Sequence, residues 1–214
     1  MASHFLYLME EDKACYSKPP QAPRFLAMKT NRFDKARVLT TAELDLLHDQ
    51  LPSAKHRVLA SVLRRTGARV SEGLQLRWGY VSPSKIIYTA PTTKGGTKTR
   101  SIPTHPLLAK ELEAWKAISN PDNDPKAFVF PGRNPGEPMT RRSFDHALRK
   151  VIKELNLPGT STHSFRRSFL TAASENGVPL RAIQSISGHS NLSQLSAYLE
   201  VSESAKTNAV MNGA

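Results

Sequence analysis

The sequence has a single cysteine, Cys15, among 214 residues. One thiol can build neither an internal disulfide framework nor a thiolate metal cage within one chain, and it fits a reducing compartment. Long apolar runs are missing too. Phe5-Leu6-Tyr7-Leu8-Met9 is short and meets Glu10-Glu11-Asp12 at once, unlike a secretory signal. The uncharged stretch from Ala182 to Leu199 is full of Ser, Gln, Asn and His, unlike a membrane span. No acidic cluster, His-Glu-x-x-His or Gly-x-x-x-x-Gly-Lys occurs, which removes the signatures of zinc-protease and P-loop chemistry. Internal repeats and low-complexity tracts are also absent. Aromatics are only 7%, yet a hydrophobic content of 39% supplies a core and excludes wholesale disorder.

Acidic residues are scarce, 18 against 30 Lys and Arg, which gives a net charge of +12. The excess is concentrated. Residues 64–100 carry net +7 and residues 141–167 net +5, while the four other segments (1–37, 38–63, 101–140 and 168–214) nearly cancel. Two basic runs in a near-neutral frame fit a phosphate backbone better than a uniformly solvated surface, so nucleic acid is the leading partner on charge alone.

Residues 1–37 read as an arm, since Lys18-Pro19-Pro20-Gln21-Ala22-Pro23 favours extended backbone. A compact domain is expected from Val38. Thr40-Thr41-Ala42-Glu43 matches a capping box, with Leu44, Leu47 and Leu51 at helical spacing behind it. A second helix is expected over Ser53–Thr66 and closed by Gly67, and a short one opens at Ser71-Glu72. The period then switches. Lys85–Ala90 and Thr99–Pro103 read as the strands of a hairpin with a basic tip at Lys94-Gly95-Gly96-Thr97. Helical spacing returns with Leu107, Leu108, Leu112 and Trp115, and again behind Thr140 with Phe144, Leu148, Val151, Ile152 and Leu155. Three more helices are expected over Ser164–Asn176, Pro179–Ser187 and Asn191–Leu199. The fold class is mainly α with a small antiparallel β-sheet.

Five short motifs stand in order. They are Thr66-Gly67-Ala68-Arg69-Val70-Ser71-Glu72, Lys94-Gly95-Gly96-Thr97-Lys98-Thr99-Arg100, His163-Ser164-Phe165-Arg166, Gly188-His189-Ser190, and Tyr198. Each alone is weak, because a lone Arg is usually surface and a lone His or Tyr usually structural. Together they resemble the tyrosine recombinase family, of the phage-integrase, Xer and Cre type, from roughly Val38 to Val201. The resemblance implies the catalytic-domain fold of that family and a catalytic set of Arg69, Lys94, His163, Arg166, His189 and Tyr198, with no metal and no other cofactor.

The residue types suit that chemistry. A phosphodiester attacked at phosphorus gains negative charge on its non-bridging oxygens, and planar guanidiniums donate paired hydrogen bonds to them at any working pH. Arg69 and Arg166 are the expected clamp, and His189 an added donor. A phenol has a pKa of about 10, so Tyr198 needs a proton acceptor; His163 takes that role by resemblance, and Lys94 that of acid for the leaving 5′ oxygen. The phosphotyrosyl bond keeps the energy of the broken linkage, so a 5′ hydroxyl can reseal the strand without ATP. Lys98, Arg100, Arg141, Arg142 and Arg167 are candidate DNA contacts, Lys98 and Arg100 alternatively supporting the hairpin. Arg167 stands where many family members carry His. Glu72 is read as orienting Arg69 from one turn along the helix.

The expected layout is an arm at 1–37, a catalytic domain at 38–201 and a tail at 202–214. The arm is too short for the helical core-binding domain that most of the family carries before the catalytic one, and in size the chain looks like the fimbrial phase-switching recombinases. The resemblance implies double-stranded DNA as partner, a tetramer on two DNA sites passing through a Holliday junction, and accessory DNA-bending proteins. It places the protein in the bacterial cytoplasm with the nucleoid, encoded by a bacterium, phage or mobile element, and away from membranes. Rival readings of the same residues are a type IB topoisomerase or telomere resolvase, and a DNA-binding regulator on the same fold.

Overall fold

A computed structural model describes residues 35–92, 99–196, 199, 206–207 and 210–211. Residues 1–34 of the expected arm and most of the expected tail lie outside these. Among the described residues the chain forms α1 (Thr41–Gln50), α2 (Ala54–Thr66), α3 (Val70–Leu74), β1 (Lys85–Tyr88), β2 (Arg100–Pro103), α4 (Pro106–Ser119), α5 (Arg141–Glu154), α6 (Thr162–Glu175), α7 (Leu180–Ser187) and α8 (Leu192–Ser196). This is the mainly helical class, with one small antiparallel sheet, that the sequence predicts. No helix among the described residues is long and apolar enough to cross a membrane.

The helix α2 is central because its middle, Val58 to Leu63, is buried on every side. Val58, Leu59, Ala60, Val62 and Leu63 are buried, and α1, α3, α4 and α6 pack about them. Full burial of side chains such as Leu59 and Leu63 contributes roughly 1.5–3 kcal/mol each. The helix α1 enters through the expected capping box: the Thr40 hydroxyl accepts from the Glu43 amide, and the Glu43 carboxylate accepts from the Thr40 amide. In the sheet Ile86 faces Ile102 and Tyr88 faces Arg100.

Some boundaries differ from expectation, each for a local reason. The strand β1 stops at Tyr88 rather than Ala90, because Thr89–Thr92 closes as a turn with the Thr92 amide donating to the Thr89 carbonyl at 2.9 Å. The helix α6 begins two residues before Ser164, since Ser161 caps it and Ser164 reaches back to the Ser161 amide. Pro179 serves as the cap of α7 instead of its first residue. The hairpin tip, Lys94–Thr97, lies outside the described residues.

Two hydrophobic clusters result. The larger spans α1 to the start of α6. A satellite of Leu170, Ile183 and Leu195, with Phe169, Val178, Leu192 and Leu199 against it, holds α7 and α8 to the far half of α6.

Gly67 and Gly188 end α2 and α7 in the left-handed conformation, with φ of 62° and 68°. A Cβ on Gly67 would lie 2.5 Å from Phe169 Cδ1. Gly67→Ala is therefore expected to lose about 1–3 kcal/mol from left-handed strain and the clash together, read as a lower urea midpoint with an unchanged m-value.

Candidate active site

Arg69 leaves the chain between two helix ends, three residues past α2 and as the cap of α3. Glu72, one turn on, accepts the Arg69 amide on Oε2 at 2.8 Å and Arg69 Nη1 on Oε1 at 3.1 Å. Arg100, first residue of β2, donates to the same carboxylate with both terminal nitrogens, at 3.1 Å to Oε1 and 2.6 Å to Oε2. The Glu72 side chain has no exposed surface. Burial raises its pKa, but the hydrogen bonds and charge of Arg100, helped by Arg69, outweigh that and hold it below the usual carboxylate range.

Arg100 also lies 4.6 Å over the ring of Tyr88. The Tyr88 hydroxyl is 3.1 Å from Thr66 Oγ1, whose own proton goes to the Val62 carbonyl at 2.6 Å, so Tyr88 is the donor in that pair. Burial pushes the Tyr88 phenol well up, which makes it an unsuitable nucleophile.

Arg166 is 1% exposed. Its Nη1 donates to the Gly67 carbonyl at 2.6 Å and its Nη2 to the Ser187 carbonyl at 2.7 Å. Those acceptors are the carboxyl ends of α2 and α7, where unpaired carbonyls and the helix dipole favour a cation. Nη2 also lies 3.2 Å from His189 Nε2.

His189 is buried, with Nδ1 2.7 Å from the Ser187 hydroxyl and its carbonyl accepting Gln184 Nε2 at 3.2 Å. Burial first, then the charges of Arg166, Arg69 and Arg100, bring its pKa down to about 4. His163, on the first turn of α6, keeps an exposed face. Partial desolvation, then Arg141, Arg166 and Arg69, lowers its pKa as well. Both imidazoles are thus neutral at pH 7, one able to accept a proton and the other fixed as a hydrogen-bonding group.

The structure brings together Arg69, His163, Arg166 and His189, four of the six expected catalytic residues. Lys94 and Tyr198, with the candidate contact Lys98, lie outside the described residues. Arg141 and Arg142 are exposed on the first turn of α5, with Arg141 Nε 3.4 Å from Asp145. Arg100 and Arg167, both candidate DNA contacts, with hairpin support as the alternative for Arg100, are turned inward. Arg100 is spent on Glu72, and Arg167, 7% exposed, donates to the Ala36 carbonyl. Thr66, Tyr88, Gln184 and Ser187, which buttress the site, were not expected there. Among the described residues no three His, Cys, Asp or Glu side chains converge as a metal-ion set.

Comparison with known proteins places these features. The model of the phage integrase family matches residues 37–205. The chain is 29% identical over 201 residues to the tyrosine recombinase XerC of Mesorhizobium japonicum, covering 90% of this chain and 64% of that protein. It is 29% identical over 202 residues to the tyrosine recombinase XerA of Thermococcus kodakarensis, covering 94% and 68%. The chain therefore spans about two thirds of the length of these relatives. The crystal structure of XerA recombinase superposes with a TM-score of 0.70 at 22% identity, over 83% of this chain and 65% of that one. The Tn1549 transposon integrase in complex with transposon right end DNA also gives 0.70 at 22% identity, over 86% and 69%.

The depressed pKa of His189 ties stability to pH. The folded state resists protonating a ring that the unfolded chain protonates near 6.5, so its contribution is full above that value and is lost as pH falls toward 4. At most about 3 kcal/mol is at stake. Denaturant titrations from pH 7 to pH 4 should show a steeper fall for the wild-type chain than for His189→Gln; parallel curves would contradict the assignment.

Proposed function

The chain belongs to the phage integrase family, and on that premise we propose that it is a tyrosine-type site-specific DNA recombinase acting through a covalent 3′-phosphotyrosyl intermediate at Tyr198. The observation that carries this is the convergence of Arg69 at the start of α3, His163 and Arg166 on α6, and His189 just past α7, where burial and then the nearby guanidiniums lower the pKa of both histidines. DNA in the similar Tn1549 integrase complex supports DNA as the substrate.

In the proposed reaction Tyr198 Oη attacks the scissile phosphorus while His163 takes its proton. The bond from phosphorus to the 5′ oxygen breaks, and Lys94 protonates the leaving oxygen. Arg69 and Arg166 hold the non-bridging oxygens, Arg166 already oriented by two helix ends and needing no reorganisation as charge builds. His189 adds a neutral hydrogen bond. Attack by a second 5′ hydroxyl reverses every transfer and restores Tyr198, so neither ATP nor a metal ion is consumed.

The catalytic unit is residues 38–201, with 1–37 as an arm. Assembly as a tetramer on two double-stranded DNA sites, tail docking by 202–214 onto a neighbour, help from DNA-bending proteins and a place with the bacterial nucleoid complete the proposal.

Tyr198→Phe keeps ring packing and removes the nucleophile. It should bind DNA as the wild type does and form no denaturation-resistant adduct; an adduct from this variant means another nucleophile. Arg69→Lys keeps charge but loses the two-bond fork, and cleavage should slow by roughly a hundredfold to a thousandfold, the usual loss for one preorganised donor. Wild-type cleavage should persist in excess chelator, and loss of activity there would sink the metal-free route.

A further inference from the structure

We infer that Arg100 is a positioning residue for the arginine clamp: by occupying both oxygens of Glu72, it leaves Arg69 tethered through one side-chain bond, with the rest of that guanidinium turned to the substrate. The inference rests on the proposed function and extends it to a residue whose side chain is turned to Glu72.

The geometry is unequal in a telling way. Arg100 makes a two-bond fork at 3.1 and 2.6 Å, whereas Arg69 reaches the same carboxylate through Nη1 alone, at 3.1 Å. Their side chains are 9% and 20% exposed, so the better-paired arginine is the more deeply buried. Glu72 is the only acidic residue in 64–100, a segment with eight Lys and Arg, and its charge is shared between the two. A fully buried carboxylate seeks all the compensation it can find. Without Arg100 its remaining cationic partner is Arg69, which would close into the vacated fork. Arg69 would then have to leave that pair before it could clamp the scissile phosphate, a cost that falls on the cleavage step.

Arg100 is also placed to transmit position. It opens the strand that returns from the hairpin, six residues after Lys94 in sequence. It stacks on Tyr88 of β1, and its Nη1 lies 3.1 Å from where a Cβ on Gly188 would be, just before His189. One guanidinium therefore abuts the carboxylate that holds Arg69, the partner strand and the stop that aims His189.

The test compares wild type, Arg100→Gln, Arg100→Lys and Glu72→Gln with Arg100→Gln in that background, on duplex carrying the recombination site. Arg100→Gln should bind DNA with unchanged affinity and an unchanged slope of log affinity against log salt. At saturating DNA it should form the covalent adduct at least tenfold more slowly near neutrality, with the gap to wild type narrowing as pH falls and Glu72 protonates and releases Arg69. Arg100→Lys should recover only part of the rate, because an ammonium lacks the fork. A salt slope reduced by about one would make Arg100 a phosphate contact and overturn the inference. So would a wild-type rate in either Arg100 variant. Melting temperatures without DNA provide a separate reading: the gap between wild type and Arg100→Gln should narrow as pH falls and Glu72 protonates, and should nearly vanish in Glu72→Gln. A gap constant with pH overturns the pairing. If wild type forms no adduct, the recombinase reading fails, while the melting series still decides the Arg100–Glu72 linkage.

Discussion

A guanidinium with almost no exposed surface needs acceptors in place of water, and Arg166 obtains two from the carboxyl ends of two helices. The Gly67 carbonyl ends α2 and the Ser187 carbonyl ends α7, and both point at one cation. Much else follows from that need. Helix α2 must stop where it does, which calls for the left-handed glycine, and the chain then turns at once so that Arg69 emerges beside the same guanidinium. Helix α7 must stop at Ser187, which sets His189 against Arg166 from the opposite side.

The electrostatics of this region are set by guanidiniums that outnumber the carboxylate they share. Two guanidiniums share one carboxylate, and the nearby histidines stay neutral first because burial disfavours their charged form and then because a proton would add charge to an already positive place. Neutral imidazoles and permanently charged guanidiniums divide the labour cleanly. The former exchange protons and hydrogen bonds, and the latter supply a field that does not vary with pH.

Much of this was legible in the sequence, and the reasons are particular. The Thr40–Glu43 box and the stops at Gly67, Gly177 and Gly188 are local chemistry, readable from a few adjacent residues. Arg69, His163, Arg166 and His189 could be found because their order and spacing carry a family pattern. Arg100 stayed open between a phosphate contact and hairpin support because the hairpin read as a basic surface. Its signal was Glu72, a lone acid among many bases, which had to be shared. Arg167 gave no such signal, since its partner carbonyl at Ala36 lies 131 residues away and any backbone oxygen would look the same in sequence. Ser187 and Thr66 escaped for the same reason: nothing marks a particular serine or threonine as a buttress until the chain is folded.

The division of the apolar interior into a large cluster and a three-residue satellite has a thermodynamic consequence. Opening α7 and α8 alone exposes Leu170, Ile183 and Leu195 and breaks the Arg166–Ser187 bond, while the interior around α2 stays closed. Such an opening costs far less than global unfolding, so this end of the molecule forms a cooperative unit of its own, with the weaker amide-exchange protection that follows. An anion that engages Arg166 and His189 together binds only the closed form. Its binding free energy is therefore added to the folding of that unit, so for such an anion binding and local folding are one equilibrium.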